Sequence, residues 1–164
     1  MKDILAIDPG PEKSGWVLWG DNRIQQMGHT DNDEMLRIIE KLVLDNHITD
    51  TPTMLVHEMI ASYGMAVGAS VFETCVWIGR FEQHFRTMVT WRPLRNWTVR
   101  RLTRPQIKLH LCGTMRAKDP NVRQALIDRL GPVGTKAKPG PLYGVRSHVW
   151  SALAVAITAQ DTLQ

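Results

Sequence analysis

The order of apolar and polar positions divides the chain into ten predicted elements. Short apolar or alternating segments bounded by Gly, Pro, Asn or Asp predict strands, and apolar residues three to four apart predict helices. The predicted strands cover residues 3–8, 15–20, 23–29, 53–58 and 97–102. The predicted helices cover residues 31–46, 67–88, 103–113, 119–131 and 148–159. This order predicts an α/β layer fold with a mixed sheet.

Two of the predicted helices differ in how much apolar surface they carry. The first has one stripe, formed by Met35, Ile38, Ile39, Leu42 and Val43. The helix at 67–88 has a stripe from Val67 to Met88, and Phe72, Val76 and Trp77 widen it. So wide an arc predicts burial against the sheet and also against a second subunit. The alternative is a helix that is fully buried in a monomer.

The ends of the helices carry recognisable signals. Asp31 or Asp33 can cap the first helix, Asp119 is expected to be an N-cap, and Ser147 is expected to cap the last helix. Thr103 with Pro105 marks another helix start. Residues 131–144 hold four Gly, three Pro and two Lys, which predicts a flexible loop.

Length and composition limit the class of protein. A chain of 164 residues with 43% hydrophobic residues predicts a single globular domain with its own core. No apolar run approaches the roughly 18 residues of a membrane span, and the N-terminus lacks a signal-peptide pattern. Cys75 and Cys112 lack C-x-x-C spacing, so we expect two free thiols in a reducing cytoplasm.

The charge is strongly divided along the chain. Residues 86–146 carry 14 Lys and Arg against two acids, whereas residues 1–85 carry 13 acids against six bases. Such a basic segment is typical of a protein that binds phosphate backbones, and the alternative is a solvated basic surface without a partner.

Three side chains are candidates for one catalytic site. Asp8 ends the first strand, Glu58 ends the fourth, and His148 begins the last helix. If the two strands are adjacent and parallel, both carboxylates lie at one end of the sheet, within reach of His148. Such a set could hold Mg²⁺ or Mn²⁺, and two ions could activate a water and stabilise a leaving 3′ oxygen. Each residue also has an alternative without catalysis. Asp8 could be a turn residue that bonds its own backbone, Glu58 a solvated strand end, and His148 a helix-start or hydrogen-bonded core histidine.

These residues resemble the RuvC-like Holliday junction resolvases of the RNase H-like superfamily, particularly their short phage-type branch. The resemblance rests on three blocks in order: residues 4–10 with Gly15-Trp16, residues 56–58, and residues 147–156. It implies an RNase H-like mixed five-stranded sheet with helices on both faces. It also implies a metal-dependent homodimer that cleaves four-way DNA junctions by paired symmetric nicks, inside a bacterial host cell if the gene is of phage origin.

The resemblance assigns roles by position. Asp8 matches the first metal-bridging aspartate, Glu58 the second-strand glutamate, and His148 an acidic residue or histidine of the last helix. The family usually has another aspartate where this chain has Ser151. The Ser151 hydroxyl would then bond a metal-bound water as part of the metal site, or Asp119 or Glu12 would compensate, or activity is weakened. The helix at 67–88 would form the dimer interface.

The remaining predicted contacts concern DNA. We expect junction-wedging side chains at Ile60, Tyr63 and Met65, with a simple hydrophobic anchor as the alternative. The basic residues predicted to lie nearest the cleaved strand are Lys118, Arg123, Lys136, Lys138 and Arg146.

Three alternative functions stay open. The first is an RNase H-like nuclease for other branched DNA or RNA. The second is a junction-binding protein with weakened chemistry, which Ser151 alone supports. The third is an ATPase of the sugar-kinase and actin-like group. Such proteins close two lobes on a nucleotide, and 164 residues leave no room for a second lobe, so we expect no nucleotide cofactor.

Overall fold

Five strands form one sheet in the computed structural model, which describes residues 3–49, 53–61, 64, 66–90 and 97–162. The strands are β1 (Asp3–Asp8), β2 (Lys13–Gly20), β3 (Arg23–Asp31), β4 (Thr53–Met59) and β5 (Thr98–Thr103). The helices are α1 (Asn32–Thr49), α2 (Ala69–Thr90), α3 (Arg104–Cys112), α4 (Asp119–Leu130) and α5 (His148–Thr162). All ten predicted elements are confirmed, with ends that shift by a few residues.

The sheet is mixed, with strand order β3-β2-β1-β4-β5. The first three strands form an antiparallel meander, while β4 pairs in parallel with β1 and β5 pairs in parallel with β4. The carboxyl ends of β1, β4 and β5 therefore lie at the same edge of the sheet.

Alternation along the strands creates a hydrophobic core on each face of the sheet. Ile4 and Ala6 of β1 belong to the core that contains α5, whereas Leu5 and Ile7 belong to the core that contains Met35 of α1 and Phe81 of α2. The predicted RNase H-like architecture, a five-stranded mixed sheet with helices on both faces, is thereby confirmed.

Helix α5 is buried on all sides through its middle. Residues Ala152 to Ala159 are all at most 1% exposed, because the helix lies between the sheet and helices α3 and α4. Its alanines allow close approach to the strands, so α5 is held firmly over β1 and β2.

Helix α2 is only partly covered. Ile78, Phe81 and Phe85 are buried, but Phe72 is 60% and Val76 is 56% exposed. The alternative of a helix fully buried in a monomer is therefore wrong. None of the helices in the described ranges has the length and hydropathy that a bilayer crossing requires.

Several local expectations need correction. Ser147 has a φ of 42°, which is not the extended backbone of an N-cap. The cap of α4 is Lys118, and Asp119 is the first helical residue. The flexibility predicted for residues 131–144 stays a prediction. Within this loop Thr135 and Lys138 exchange backbone hydrogen bonds, and Gly134, which has a positive φ, forms a bridge with Pro139. Cys75 and Cys112 are free thiols.

Candidate active site at the carboxyl ends of the parallel strands

Three charged side chains lie at the carboxyl ends of the three parallel strands, at one edge of the sheet. Asp8 is the last residue of β1, Glu58 lies near the end of β4, and Arg104 directly follows β5. Ile7 pairs with His57, so Asp8 and Glu58 are neighbours on adjacent strands and share the face that carries Ala6 and Val56. The sequence-based expectation that these two carboxylates meet is confirmed.

His148 reaches this edge from the first turn of α5. Its Nδ1 lies 2.9 Å from Oδ2 of Asp8. With Asp8 ionised, Nδ1 is the donor of this bond, which leaves Nε2 free to accept a proton or bind a cation. The imidazole also stacks on His29 of β3, with ring centroids 5.1 Å apart.

Gly15 explains how His148 comes so close. Asp8, Gly15 and His29 are paired across β1, β2 and β3 and form one row. A Cβ on Gly15 would lie 2.6 Å from the backbone carbonyl carbon and oxygen of His148. The start of α5 therefore rests directly on the backbone of β2.

The electrostatics of Asp8 are dominated by burial. Its side chain is 15% exposed. Burial raises the pKa of Asp8, and the hydrogen bond and charge of His148, the charge of Arg104 and a hydrogen bond from Ser151 oppose that rise only in part.

Glu58 has a similar environment but a stronger counter-charge. Burial raises the pKa of Glu58, Arg104 lowers it, and the negative charges of Asp8 and Asp119 raise it further. Nη1 of Arg104 donates to Oε2 of Glu58 at 3.0 Å. Two desolvated carboxylates that repel each other favour the binding of a cation between them.

Arg104 links the remaining candidates. Its Nη2 donates to Oδ1 of Asp119 at 2.5 Å, and its Nη1 donates to Oγ of Ser151 at 3.3 Å. Nζ of Lys108 lies 3.8 Å from the same oxygen of Asp119. Asp119 is thus held in ion pairs beside Glu58, whereas Glu12 contributes its backbone carbonyl to the start of α1.

A second network fixes the turn that follows Asp8. Ser14 Oγ donates to Asn32 Oδ1 at 2.7 Å and accepts from the amide of Gly10 at 3.4 Å. Asn32 Nδ2 donates to the carbonyl of Gly10 at 3.0 Å. The turn is therefore tied to β2 and to the start of α1, which restrains the backbone at the end of β1.

The donor set suits a hard divalent cation in type, but it is not preassembled. Asp8 and Glu58 supply carboxylate oxygens, and His148 supplies an imidazole nitrogen. Within the described ranges, no three His, Cys, Asp or Glu side chains already lie at metal-binding spacing. A cation at the carboxylate pair would share Glu58 with Arg104.

The cations predicted to bind DNA are all exposed, and the surroundings of one of them, Arg123, are well defined. Lys118, Lys136, Lys138 and Arg146 are exposed. The guanidinium of Arg123 stacks over Trp150, 4.7 Å from the ring centroid, and lines a small cleft with Arg104 and Ser151. Their roles stay predictions.

The predicted wedge is only partly within the described chain. Ile60 directly follows β4 and is half-buried. Tyr63 and Met65 lie outside the described residues.

A buried polar cluster occupies the opposite face of the sheet. His57 Nε2 lies 2.5 Å from Glu82 Oε1, and Arg101 forms a bidentate pair with Glu82 at 2.7 and 2.8 Å. Burial lowers the pKa of His57, so the neutral imidazole donates and Arg101 carries the balancing charge. The hydrogen bond from Arg101 is the main cause that lowers the pKa of Glu82 to about 2. Arg101 therefore braces α2 and lies away from the candidate site.

The sequence did not predict that Arg104 contacts Glu58 and Asp119. Arg104 is one of several arginines in or near the fifth strand, and its residue type does not distinguish it from Arg100 or Arg101 as a site residue. The available signal was its place directly after a strand parallel to the one that carries Glu58.

The chain has an RNase H-like fold, and solved structures share that fold. It is similar to Thermus thermophilus RuvC, with a TM-score of 0.60 and 20% identity over 96% of this chain and 93% of that one. It is equally similar to T. thermophilus RuvC in complex with a Holliday junction substrate, over 98% and 93% of the two chains at 20% identity and a TM-score of 0.60.

A structure from yeast shares the fold at lower sequence identity. The yeast mitochondrial Holliday junction resolvase Ydc2 matches with a TM-score of 0.57 and 11% identity, over 96% of this chain and 77% of that one. At these identities the likeness establishes a shared fold. No family model and no curated protein matches the sequence.

Proposed function

We propose that this protein is a divalent-metal-dependent endonuclease that resolves four-way DNA junctions by paired symmetric nicks. The observation that carries the proposal is the pair of buried, mutually repelling carboxylates, Asp8 and Glu58, at the carboxyl ends of adjacent parallel strands, with His148 bonded to Asp8. A solved structure of similar fold holds a Holliday junction substrate, which supports the choice of DNA.

The side chains of the site have distinct tasks under this proposal. Asp8 and Glu58 would hold Mg²⁺ or Mn²⁺, with His148 Nε2 as a further donor. When bound, such a cation supplies Lewis-acid chemistry for phosphodiester hydrolysis. The bond from His148 Nδ1 to Asp8 orients the imidazole, and Gly15 and His29 hold it in place. The expectation from the sequence is two ions per site.

The basic surface would bind the DNA backbone. Lys118, Arg123, Lys136, Lys138 and Arg146 are exposed. Arg123 lines one cleft together with Arg104 and Ser151. Phosphate contacts of this kind make affinity fall steeply with salt.

Several finer points belong to the same proposal. The chain would act as a single nuclease domain and as a homodimer through α2, where Phe72 and Val76 are exposed. Ile60, Tyr63 and Met65 would enter the opened junction. The three sequence blocks resemble the phage-type branch. If the gene is of phage origin, the protein would act in the cytoplasm of a bacterial host.

One observation favours a second candidate, a junction-binding protein with weakened chemistry. Ser151 stands where the family pattern has a carboxylate, and Arg104 occupies Glu58 and Ser151 together. This candidate predicts binding of junctions without cleavage.

A substrate panel tests the proposal. Purified protein is incubated with Mg²⁺ or Mn²⁺ and one substrate at a time. The substrates are a synthetic four-way junction, a flap, an RNA–DNA hybrid and a linear duplex of matched length. We expect symmetric nicks in the junction and slower cleavage of the other substrates. Preference for a flap or hybrid would support a different nuclease of this fold, and junction binding without nicks would support the second candidate.

A further inference from the structure

Arg104 holds a central position among the acidic groups of the candidate site. Its guanidinium contacts Glu58 at 3.0 Å, Asp119 at 2.5 Å and Ser151 at 3.3 Å. The side chain is only 32% exposed, and its fork of donors matches carboxylate oxygens. Arginine keeps its charge at any ordinary pH, so this is a permanent cation within the site.

The charges of the site leave room for one divalent ion. Three carboxylates, on Asp8, Glu58 and Asp119, face two permanent cations, on Arg104 and Lys108. These five side chains together carry one net negative charge. A single divalent ion would make it one net positive charge, which matches one phosphodiester.

The ligands for a second ion are already engaged. Asp119 is bound by Arg104 and approached by Lys108, and the residue at 151 offers a hydroxyl rather than a carboxylate. A second ion would have to displace the guanidinium and would lie close to its positive charge.

We infer that the site takes one divalent cation, at Asp8 and Glu58, and that the guanidinium of Arg104 supplies the second positive charge. This inference rests on the proposed function, because it assumes that the carboxylate pair binds a metal. It would also explain how the chain tolerates Ser151: the fourth carboxylate is unnecessary where a side-chain cation replaces the ion it would bind.

Two measurements count the ions without relying on activity. Free Mn²⁺ is followed by EPR during titration of wild-type protein, Arg104→Gln and Arg129→Gln. Arg129 is a matched control because it pairs with Asp161, between α4 and α5. Crystals with an uncleavable four-way junction are then soaked in Mn²⁺, and the anomalous peaks at Asp8 and Glu58 are counted.

We expect one ion per chain in the wild type and in Arg129→Gln, with or without DNA. Arg104→Gln should bind the first ion about tenfold more tightly and admit a second, because a repelling charge has been removed. Two ions in the wild-type site would overturn the inference and leave the proposed function intact. No bound ion in either experiment would overturn both.

The wild-type count decides the question even if Arg104→Gln does not fold. In that case Arg104→Lys, which keeps the charge, should bind one ion like the wild type. A second ion in Arg104→Lys with wild-type affinity would contradict the inference.

Discussion

Asp8 shows how a buried carboxylate lowers the stability of the protein that carries it. Its pKa is raised by burial, so the folded state favours the protonated form more than the unfolded state does. Stability without a cation therefore falls as pH rises from the ordinary pKa of aspartate through the raised pKa of Asp8.

Asp8→Asn should consequently stabilise the metal-free protein. We expect a higher Tm for the variant at pH 7 and no difference at pH 3, because the cost of burying an ionised carboxylate disappears once Asp8 is protonated. Thermal unfolding with EDTA between pH 3 and pH 7 measures this. Added Mn²⁺ should raise the Tm of the wild type and leave that of the variant unchanged.

Asp128→Asn is the matched control. Asp128 is exposed and accepts a hydrogen bond from Gln124, which asparagine can also accept. The Tm of Asp128→Asn should stay within about 1 °C of that of the wild type. A fall in Tm for Asp8→Asn at pH 7 would show that the bond to His148 outweighs the cost of burial.

At this scale, the sequence predicted the residues that end strands and missed those that depend on side-chain direction. Asp8 and Glu58 could be predicted because each interrupts an apolar run at its end. The contacts of Arg104 with Glu58, Asp119 and Ser151 depend on how three elements meet, and no spacing along the chain contains that information. The sequence also does not reveal that Arg101 pairs with Glu82 on the opposite face of the sheet.

Among the elements, α5 and β2 set the geometry of the site. The backbone of His148 rests on Gly15, and a side chain added at Gly15 would clash with that backbone. The distance between α5 and the sheet therefore controls whether His148 reaches Asp8.

Gly15→Ala should push the start of α5 away from β2. We expect a loss of about 2 kcal/mol in the free energy of unfolding, since the clash is with backbone that cannot rotate away. Cleavage of a junction should fall by more than the loss of folded protein explains, because His148 is displaced. Urea unfolding and initial cleavage rates measure the two effects.

Gly68→Ala provides the comparison. An added Cβ at Gly68 meets no atom within 4 Å, so stability should change by less than about 0.5 kcal/mol. Equal effects of the two substitutions would mean that Gly15 is not a point of close approach.

Element type followed directly from periodicity, whereas element ends did not. The apolar stripes predicted α1 and α2, and short apolar or alternating segments predicted the strands. The expected caps at Asp119 and Ser147 were wrong because capping depends on backbone angles: Lys118 is extended at the start of α4, and Ser147 is left-handed. The hairpin at 134–139 depends on backbone hydrogen bonds that composition does not reveal.

For the whole molecule, the exposed face of α2 is the surface that we assigned to a second copy of the chain. Phe72 and Val76 lie one helical turn apart and are both more than half exposed. We proposed that a second copy of the chain covers them, since paired nicks on a symmetric junction require two sites.

Phe72→Glu should weaken that dimer by at least about tenfold in Kd while leaving each chain folded. Light scattering during size-exclusion chromatography should give twice the mass of one chain for the wild type and the mass of one chain for the variant. Met115→Glu is the control, because Met115 is 61% exposed but lies between α3 and α4. A monomeric wild type would contradict the proposed interface.

The central claim is that Asp8 belongs to a metal-dependent site that cuts four-way junctions, and one assay tests it most directly. Wild-type protein and Asp8→Asn are compared on the same labelled junction with Mn²⁺, with binding followed by gel shift and nicking followed under denaturing conditions. The account predicts paired nicks from the wild type, and loss of nicking by at least about a thousandfold with binding retained in the variant. Wild-type protein that binds the junction without nicking it, or a variant that still nicks at the wild-type rate, would contradict the account.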